Sequence, residues 1–306
     1  MQIVKEALKA YGMENARHEM IRHNENITCK VFHQGNTYAL RIHQPIEGFC
    51  ASIITNGKSD IDLFQSEIEL LQYMRDHGFM ELQKPILNLD GEYVTKLSNG
   101  IPAMLLTWVE GEPIKQEETG RYAEEIGELA CKIHQAAEGF AGDRIEYDNA
   151  LCDRMIEEIK KAVSLNHMAP EAGEKCISEL GAIKAAQNRL ESEFGHSIIH
   201  ADLGFSNILV TEYGLVPIDF SLSGYGSLAQ EAGMILSNYH DDESGKKLLA
   251  GFKKAGHLVH SADADIFLAY SVLLFICVQH NKVHKEEWFE NALNEWCKEL
   301  FVHGAG

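Results

Sequence analysis

Two short segments of this chain, IHADLGFSNILV and VPIDF, enclose polar side chains within apolar runs. The polar residues are His200, Asp202, Asn207 and Asp219. The stretch between Asn207 and Asp219 reads as two short β-branched strands joined by a turn, so the hairpin returns Asp219 to the neighbourhood of Asp202 and Asn207. The apolar flanks of both segments predict that the polar residues lie at a buried edge. The flanks disfavour the alternative, a solvated turn with an Asx cap at Asn207.

These four residues have the chemistry that phosphoryl transfer requires. The amide of Asn207 and the carboxylate of one aspartate make a hard-oxygen set suited to Mg²⁺, which completes its shell with phosphate and water. The other aspartate is then free to orient a hydroxyl nucleophile and to take its proton. Positioning and charge neutralisation supply most of the catalysis in such reactions, so the set predicts a magnesium and proton-transfer site.

The predicted secondary structure changes once along the chain, from strands to helices, near residue 107. Before it, ITCKVFHQGNTYALRIH alternates around a turn, and GEYVTKL with IPAMLLTWV forms a second hairpin candidate. Between the two pairs, DLFQSEIELLQYMRDHGF has apolar residues near helical spacing. After WVEGEPI the patterns are mainly helical, which predicts an α+β protein with a small β-rich domain, a larger helical domain and a ligand cleft between them.

The spacing of the polar segments matches a known catalytic motif. His-x-Asp-x-x-x-x-Asn is followed by hydrophobic-Asp-Phe seventeen residues beyond Asp202, as in the kinase catalytic loop and metal-binding motif. With IIHADLGFSNILV and VPIDFS, the sequence resembles the aminoglycoside phosphotransferase and choline kinase-like superfamily. NTYALRIHQP, SEIELLQYM, AMLLTWVEGEPI and ELACKIHQAA look like the phosphotransferase families that include type II homoserine kinases. The resemblance covers roughly residues 20 to 240.

The resemblance implies a protein-kinase-like two-lobe fold. Residues 1 to 107 would form the nucleotide-binding lobe, residues 108 to 114 the hinge linker, and residues 115 to 306 the helical lobe with the catalytic loop and the substrate pocket. ATP and Mg²⁺ would be the cofactors. Asp202 would be the catalytic base, Asn207 and Asp219 would hold Mg²⁺, and His200 would mainly brace the catalytic loop.

The resemblance also assigns residues outside the catalytic loop. Glu67 would be the helix glutamate that pairs with the phosphate-contacting side chain. That side chain is a lysine in the family pattern, but this chain has Arg41 there, which keeps the charge and can fork onto phosphate oxygens without being equivalent to lysine. Glu231 stands where the family usually carries an aspartate that braces the site, and we interpret it as a structural substitute.

The nucleotide would be held by a loop and a hinge. Asn24 and Asn26 resemble the asparagine-containing phosphate loop of small-molecule kinases, although a plain β-turn is equally compatible with this segment. The sequence lacks the Gly-x-Gly-x-x-Gly lid of protein kinases. The backbones of Thr107 and Val109 would contact adenine, on the strength of the resemblance alone.

Composition restricts partners and compartment. The net charge of −19 disfavours nucleic acid and anionic membranes and makes a cationic partner easier to accommodate. Seven scattered cysteines without a Cys-x-x-Cys pair indicate a reduced, cytoplasmic protein. The acid-containing N-terminal segment is unlike a secretory signal, and the uncharged apolar run at residues 266 to 279 suits a core helix better than a membrane span. The sequence gives no indication of oligomeric state.

The sequence therefore predicts an ATP-dependent kinase for a hydroxyl group of a small molecule, such as an amine, amino alcohol, sugar or aminoglycoside-like compound. Three alternatives stay open: a nucleotide-binding pseudokinase, a homoserine kinase-type enzyme and a metal-dependent phosphoesterase. Acids and aromatic residues in SNYHDDESGKK and HKEEWFENALNEW favour a cationic acceptor, but ordinary solvated helix faces would look the same. A homoserine carboxylate would require an arginine, and no pattern in the sequence places the candidates, Arg121, Arg144, Arg154 and Arg189, in the pocket.

Overall fold

The structure is a computed structural model that describes residues 2–23, 25–46 and 52–304. Its helices are α1 Gln2–Ala10, α2 Ser52–Thr55, α3 Asp60–Asp76, α4 Thr119–Ala136, α5 Asn149–Ser164, α6 Pro170–Phe194, α7 Leu228–Leu236, α8 Asp242–Lys254, α9 Ser261–Val283 and α10 Glu287–Glu299. Its strands are β1 Arg17–His23, β2 Asn26–His33, β3 Asn36–His43, β4 Pro85–Ile86, β5 Val94–Lys96, β6 Pro102–Thr107, β7 Glu112–Pro113, β8 Ile145–Glu146, β9 Ser197–Ile199, β10 Ile208–Thr211, β11 Gly214–Pro217 and β12 Gly224–Gly226.

The N-terminal part is built on one antiparallel sheet. Its strand order is β1-β2-β3-β6-β4, with β5 also paired to β6. The hairpins β2–β3 and β5–β6 predicted from alternation are both present. Side chains of β6 alternate between the two faces of the sheet: Leu105 packs with α1, whereas Met104 and Leu106 join the core that contains α3.

Helix α3 follows directly from its sequence. Ser59 caps its N-terminus by accepting from the backbone N–H of Asp62, and the chain leaves the helix at Gly78, where φ is +97°. Its buried face includes Phe64, Glu67 and Ile68. A buried glutamate on an otherwise apolar face requires a partner, and the sheet supplies it.

The C-terminal part is helical around one large apolar core. Helix α9 contains the apolar run identified in the sequence, and its buried side chains include Phe267, Tyr270 and Ile276. The length and composition of α9 would allow it to cross a membrane. The core helix of a soluble protein can have the same length and composition. The fold class, α+β with a β-sheet region followed by a helical part, is as predicted, and the lobe boundaries stay a prediction.

Two small sheets hold the segment from His200 to Asp219 in place. The predicted hairpin forms as β10 paired with β11, and β7 adds to its other side. Strand β12 pairs with β9 and with β8. The segments before Asp202 and after Asp219 are therefore both anchored in sheets, which leaves the polar residues at the sheet ends.

Candidate active site

His200 links the two polar segments. Its ring Nδ1 accepts from the backbone N–H of Asp202 at 3.3 Å, and its Nε2 donates to the carbonyl of Ile218 at 3.2 Å. These contacts select the neutral tautomer with the proton on Nε2. The side chain is fully buried, and burial lowers the pKa of His200 to about 4. His200 therefore acts as an uncharged brace between the Asp202 loop and the segment that leads to Asp219.

Asp202 and Asn207 are in direct contact. The Asn207 amide donates from Nδ2 to Asp202 Oδ2 at 2.8 Å and to the Asp202 carbonyl at 2.9 Å. Asp202 is reached from the cleft but is surrounded by protein on its other sides, and this desolvation together with Asp219 raises the pKa of Asp202 to about 7. Asn207 thus fixes the orientation of the carboxylate that faces the cleft.

Asp219 is the centre of an ion-pair cluster. Its Oδ1 lies 3.1 Å from Arg41 Nη2 and accepts from Ser221 Oγ at 2.9 Å, and its Oδ2 lies 2.6 Å from Arg22 Nη2. Burial alone would raise the pKa of Asp219, but Arg41 and Arg22 outweigh it and hold the pKa below its ordinary value. Asp219 is therefore an ionised carboxylate whose two oxygens are both engaged.

Arg41 also binds the helix glutamate. Its Nη1 lies 2.5 Å from Glu67 Oε1, and both side chains are buried. Burial raises the pKa of Glu67, while Arg41 opposes that rise. The predicted pairing of the α3 glutamate with the residue in the lysine position is therefore present with an arginine in that position. Through Arg41 the sheet, α3 and the Asp219 segment meet at one point.

The loop backbone is held in an unusual conformation. Ala201 and Asp219 both adopt left-handed backbone angles, with φ of 62° and 65°, a region that costs free energy for residues with a Cβ. Glu231 on α7 accepts from the backbone N–H of His200 at 2.5 Å and of Ala201 at 3.2 Å. Glu231 therefore anchors the loop through its backbone and does not face the cleft.

A cavity of about 510 Å³ opens beside these residues. Asp202 and Asp219 line one side, and Phe275 of α9 with Trp288 and Trp296 of α10 line another. The ring of Phe275 lies 6.3 Å from each tryptophan ring. A hydroxylated ligand that fills this space can place its oxygen near Asp202.

The structure places the other predicted residues around this centre. Asn26 is buried, lines the cavity and contacts His43 through its Oδ1 at 3.3 Å. Asn24 lies outside the described residues. The backbone N–H of Thr107 donates to the carbonyl of Lys84, and its carbonyl accepts from Gln83, so its N–H is already committed within the protein. Val109 follows in the extended linker after β6.

Four arginines were candidates for binding the carboxylate of an acceptor. None of them is among the described residues that line the cavity. Arg144 is fully buried and bonded to backbone carbonyls and serines, and Arg154 donates to the carbonyl of Ile53. Arg121 and Arg189 pair with acids elsewhere on the helical part.

Sequence reasoning missed Arg22, Glu25 and Phe275. Glu25 lines the cavity, and burial together with Asp219 raises its pKa to about 7. Phe275 lies within the apolar run that was assigned to a core helix, and it is 38% exposed. The sequence shows that a basic residue stands shortly before Asn24. It does not show which face of the strand the Arg22 side chain occupies.

The residues present fit a magnesium ion. Asn207 Oδ1 is buried and has no hydrogen-bond partner among the residues that the structure describes, and Asp219 is an ionised carboxylate at the same site. Within the described ranges, no group of three or more His, Cys, Asp or Glu side chains could hold a metal ion. A site with one amide and one carboxylate suits Mg²⁺, which keeps waters and takes phosphate oxygens as further ligands.

Solved structures with the same fold are small-molecule kinases. An amicoumacin kinase in complex with AMP-PNP, Ca²⁺ and its antibiotic has a TM-score of 0.74 at 17% identity, over 98% of this chain and 92% of that one. A microcompartment-associated aminopropanol kinase has a TM-score of 0.68 at 19% identity, over 99% and 94%. A choline kinase from Streptococcus pneumoniae has a TM-score of 0.65 at 17% identity, over 99% and 98%. These likenesses confirm the kinase-like two-lobe fold.

Among curated protein sequences, none matches the chain. The model of the phosphotransferase enzyme family matches residues 35–266, which is most of the chain. This match confirms the predicted superfamily and the predicted enzyme class, a phosphotransferase. The chain belongs to the phosphotransferase enzyme family.

Proposed function

We propose that this protein is a cytoplasmic, ATP-dependent kinase that phosphorylates a hydroxyl group of a small molecule. One observation carries the proposal: Asp202, oriented by the 2.8 Å bond from Asn207, faces the same cavity as the Asp219 cluster. A base for the acceptor and a charged cluster for the phosphates thus lie on one cleft, which is the arrangement that phosphoryl transfer needs.

The nucleotide is assigned to the β-rich part. Residues 1 to 107 form the proposed nucleotide-binding lobe, with adenine at the linker of residues 108 to 114 near Val109. Arg41, held by Glu67 on α3, supplies a fixed cation toward the phosphates. Asn207 and Asp219 would hold Mg²⁺, which when bound would neutralise charge on the phosphate oxygens.

Asp202 performs the proton transfer in this proposal. The acceptor hydroxyl donates a hydrogen bond to the Asp202 carboxylate and gives up its proton as its oxygen forms a bond to the γ-phosphorus. The bond between the γ-phosphorus and the bridging oxygen to the β-phosphate breaks, and ADP leaves. Asn207 and the backbone anchor from Glu231 keep the carboxylate in position throughout.

For the acceptor we propose a cationic amino alcohol with an apolar portion. Trp288 is 48% exposed and Phe275 is 38% exposed, and both face the cavity. Exposed aromatic rings beside acids suit a protonated amine. Arg22, the one basic residue among the described cavity-lining residues, pairs with Asp219, so an acceptor carboxylate would have to compete with Asp219 and with the nucleotide phosphates for it, which disfavours the homoserine-type alternative. The amicoumacin, aminopropanol and choline kinases with this fold lend support.

The role of Asp202 is tested with Asp202→Asn and a matched control, Asp90→Asn, whose side chain is exposed on a turn and does not line the cavity. We expect Asp202→Asn to lower slow ATP hydrolysis in Mg²⁺ by roughly 10²- to 10⁴-fold while calorimetric binding of ATP is retained. Asp90→Asn should match the wild type. Full turnover by Asp202→Asn would refute the assignment.

The same measurements separate the alternatives. A pseudokinase would bind ATP without hydrolysing it in either protein, and a phosphoesterase would hydrolyse p-nitrophenyl phosphate without ATP. Acceptor chemistry is tested by ADP release with three matched compounds: 2-amino-1-phenylethanol, 1-phenylethane-1,2-diol and mandelate. We expect the amine to be the best acceptor and mandelate to be inactive. A preference for mandelate would overturn the proposed acceptor class.

A further inference from the structure

Arg22 occupies a position that the sequence pattern did not reveal. It lies on β1, and the pairing of β1 with β2 shifts between Met20 and Arg22 because Ile21 is an extra residue. Such a bulge turns the following side chain to the opposite face of the sheet. Arg22 therefore faces the cleft, whereas an unbroken alternation from Met20 would direct it away.

The corrected register aligns two arginines. Arg22 is paired with Thr28 on β2, and Thr28 is paired with Arg41 on β3. Arg22 and Arg41 thus stand in one row on the same face, about 10 Å apart across two strand spacings. Each guanidinium reaches a different oxygen of Asp219, Arg41 at 3.1 Å and Arg22 at 2.6 Å.

The two arginines differ in how easily they can move. The Arg41 side chain is 5% exposed and is also bonded to Glu67, whereas the Arg22 side chain is 39% exposed. Asp219 is the one ionic partner of Arg22 among the residues that the structure describes. Arg22 can therefore leave Asp219 by a side-chain rotation, and Arg41 cannot.

The ion pair with Arg22 opposes a metal ion at Asp219 in this arrangement. Arg22 and Arg41 balance the charges of Asp219 and Glu67, with which they pair, and the neighbouring carboxyl groups of Asp202 and Glu25 also act on Asp219. A divalent cation at Asp219 would compete with Arg22 for Oδ2. The metal ion and the Arg22 guanidinium would then lie in contact and repel each other. Phosphate oxygens would remove the conflict, because they attract both the metal and the displaced guanidinium.

We propose that Arg22 shields Asp219 from metal in the nucleotide-free protein and transfers to the nucleotide phosphates when metal and nucleotide bind together. This inference rests on the proposed function, since it uses the same phosphate site. Arg22 is then both a competitor of the metal ion and a ligand of the nucleotide. Metal and nucleotide bind cooperatively as a result.

The experiment measures binding, not turnover. Full-length wild type, Arg22→Gln and Arg22→Lys are titrated with Mn²⁺ alone by electron paramagnetic resonance, and with AMP-PNP at saturating Mn²⁺ by calorimetry. Arg17→Gln is the matched control, because Arg17 lies on the same strand with a 69% exposed side chain that pairs with Glu19. Circular dichroism verifies that each variant is folded.

For Arg22→Gln we expect about tenfold tighter Mn²⁺ binding without nucleotide and about tenfold weaker AMP-PNP binding, the size of one charge-assisted contact. Arg22→Lys should be intermediate in both, and Arg17→Gln should be unchanged. Mn²⁺ affinity that stays equal or falls in Arg22→Gln overturns the inference, as does unchanged AMP-PNP affinity.

The proposed function fails in a different way. Asp219→Asn should abolish Mn²⁺ binding if Asp219 is a metal ligand. If it does so while Arg22→Gln changes nothing, the inference about Arg22 is wrong and the proposed function stands. If the wild type binds neither Mn²⁺ nor AMP-PNP, both fail.

Discussion

Two buried arginines, Arg41 and Arg144, join the same two parts of the molecule in different ways. Arg144 bonds to the carbonyls of Leu63 and Phe220 and to the hydroxyl of Ser66, among other neutral groups, so it ties α3 to the segment after Asp219. Arg41 makes the corresponding connection through two carboxylates, those of Glu67 and Asp219. Both side chains are almost completely excluded from solvent.

The difference lies in what a ligand can change. Burial lowers the pKa of Arg144, whose partners are neutral, whereas at Arg41 the carboxylates outweigh burial and raise the pKa. Backbone carbonyls are fixed dipoles that no phosphate can replace, so Arg144 holds the fold. Carboxylates respond to an added phosphate or metal charge even where their arginine stays in place, so we assign Arg41 to the proposed site and Arg144 to the fold. Glu231 is the acidic counterpart of Arg144, since it too is buried and accepts from backbone groups.

The largest effect that follows from this comparison is on stability. Replacing Arg144 by Met removes the donor that this side chain supplies to the carbonyls of Ser221 and Ser223 and leaves the hydroxyls of Ser66 and Ser223 without their cationic partner. We expect the free energy of unfolding to fall by about 3–5 kcal/mol, as for a broken buried network. Urea unfolding followed by circular dichroism gives the value.

Lys184→Met is the control for Arg144→Met, because it removes a half-buried cation that pairs with the exposed Asp153 at 2.5 Å on the helical surface. It should change the free energy of unfolding by less than about 1 kcal/mol. Wild-type stability in Arg144→Met would show that the neutral network does not hold the two parts together.

The second effect is on nucleotide binding. The double substitution Arg41→Met with Glu67→Gln removes the buried Arg41–Glu67 pair together and leaves Asp219 paired with Arg22, so stability should change by only about 1 kcal/mol. ATP affinity in Mg²⁺ should fall about 30- to 100-fold, because the charge-assisted attraction of Arg41 for the phosphates is lost. Calorimetry and urea unfolding on the same preparation measure the two quantities.

Arg41→Lys sharpens the second prediction. One ammonium keeps the charge but loses the fork that reaches both Glu67 and Asp219, so ATP affinity should fall less, by about three- to tenfold. Unchanged ATP affinity in the double variant would remove Arg41 from the nucleotide site and would make it a second structural arginine.

The sequence was informative where contacts are local. His200, Asp202 and Asn207 lie on one loop, and a short hairpin brings back Asp219, so spacing alone predicts their proximity. The pairing of Arg41 with Glu67 was predicted only by resemblance to a known family, because no local pattern relates a strand to a helix that follows it. The hairpins themselves were readable from alternation and turn residues.

The rest depends on register and on long-range packing. A single extra residue, Ile21, decides which face Arg22 occupies, and a bulge of this kind leaves no clear signal in the sequence. The outward face of α9 lines the cavity only because α10 covers its flank with Trp288 and Trp296. Arg144 depends on long-range packing in the same way, since no local pattern indicated that the fold uses this lone arginine as a structural tie.

The smallest effect concerns the strained loop that Glu231 anchors. Ala201 has φ of 62°, and glycine adopts this angle without the clash of a Cβ. Ala201→Gly should therefore raise the free energy of unfolding by about 0.5 kcal/mol. This gain is the strain that glycine relieves, minus the cost of a more flexible unfolded chain and of a lost methyl contact.

If the backbone bonds to Glu231 hold Ala201 in this conformation, Glu231→Gln should let the loop relax, and the gain from glycine should vanish in the double variant. Urea unfolding of the four proteins in the cycle measures the coupling. An equal gain in both backgrounds would mean that the loop conformation is set by the sheet anchors and that Glu231 is not what maintains it.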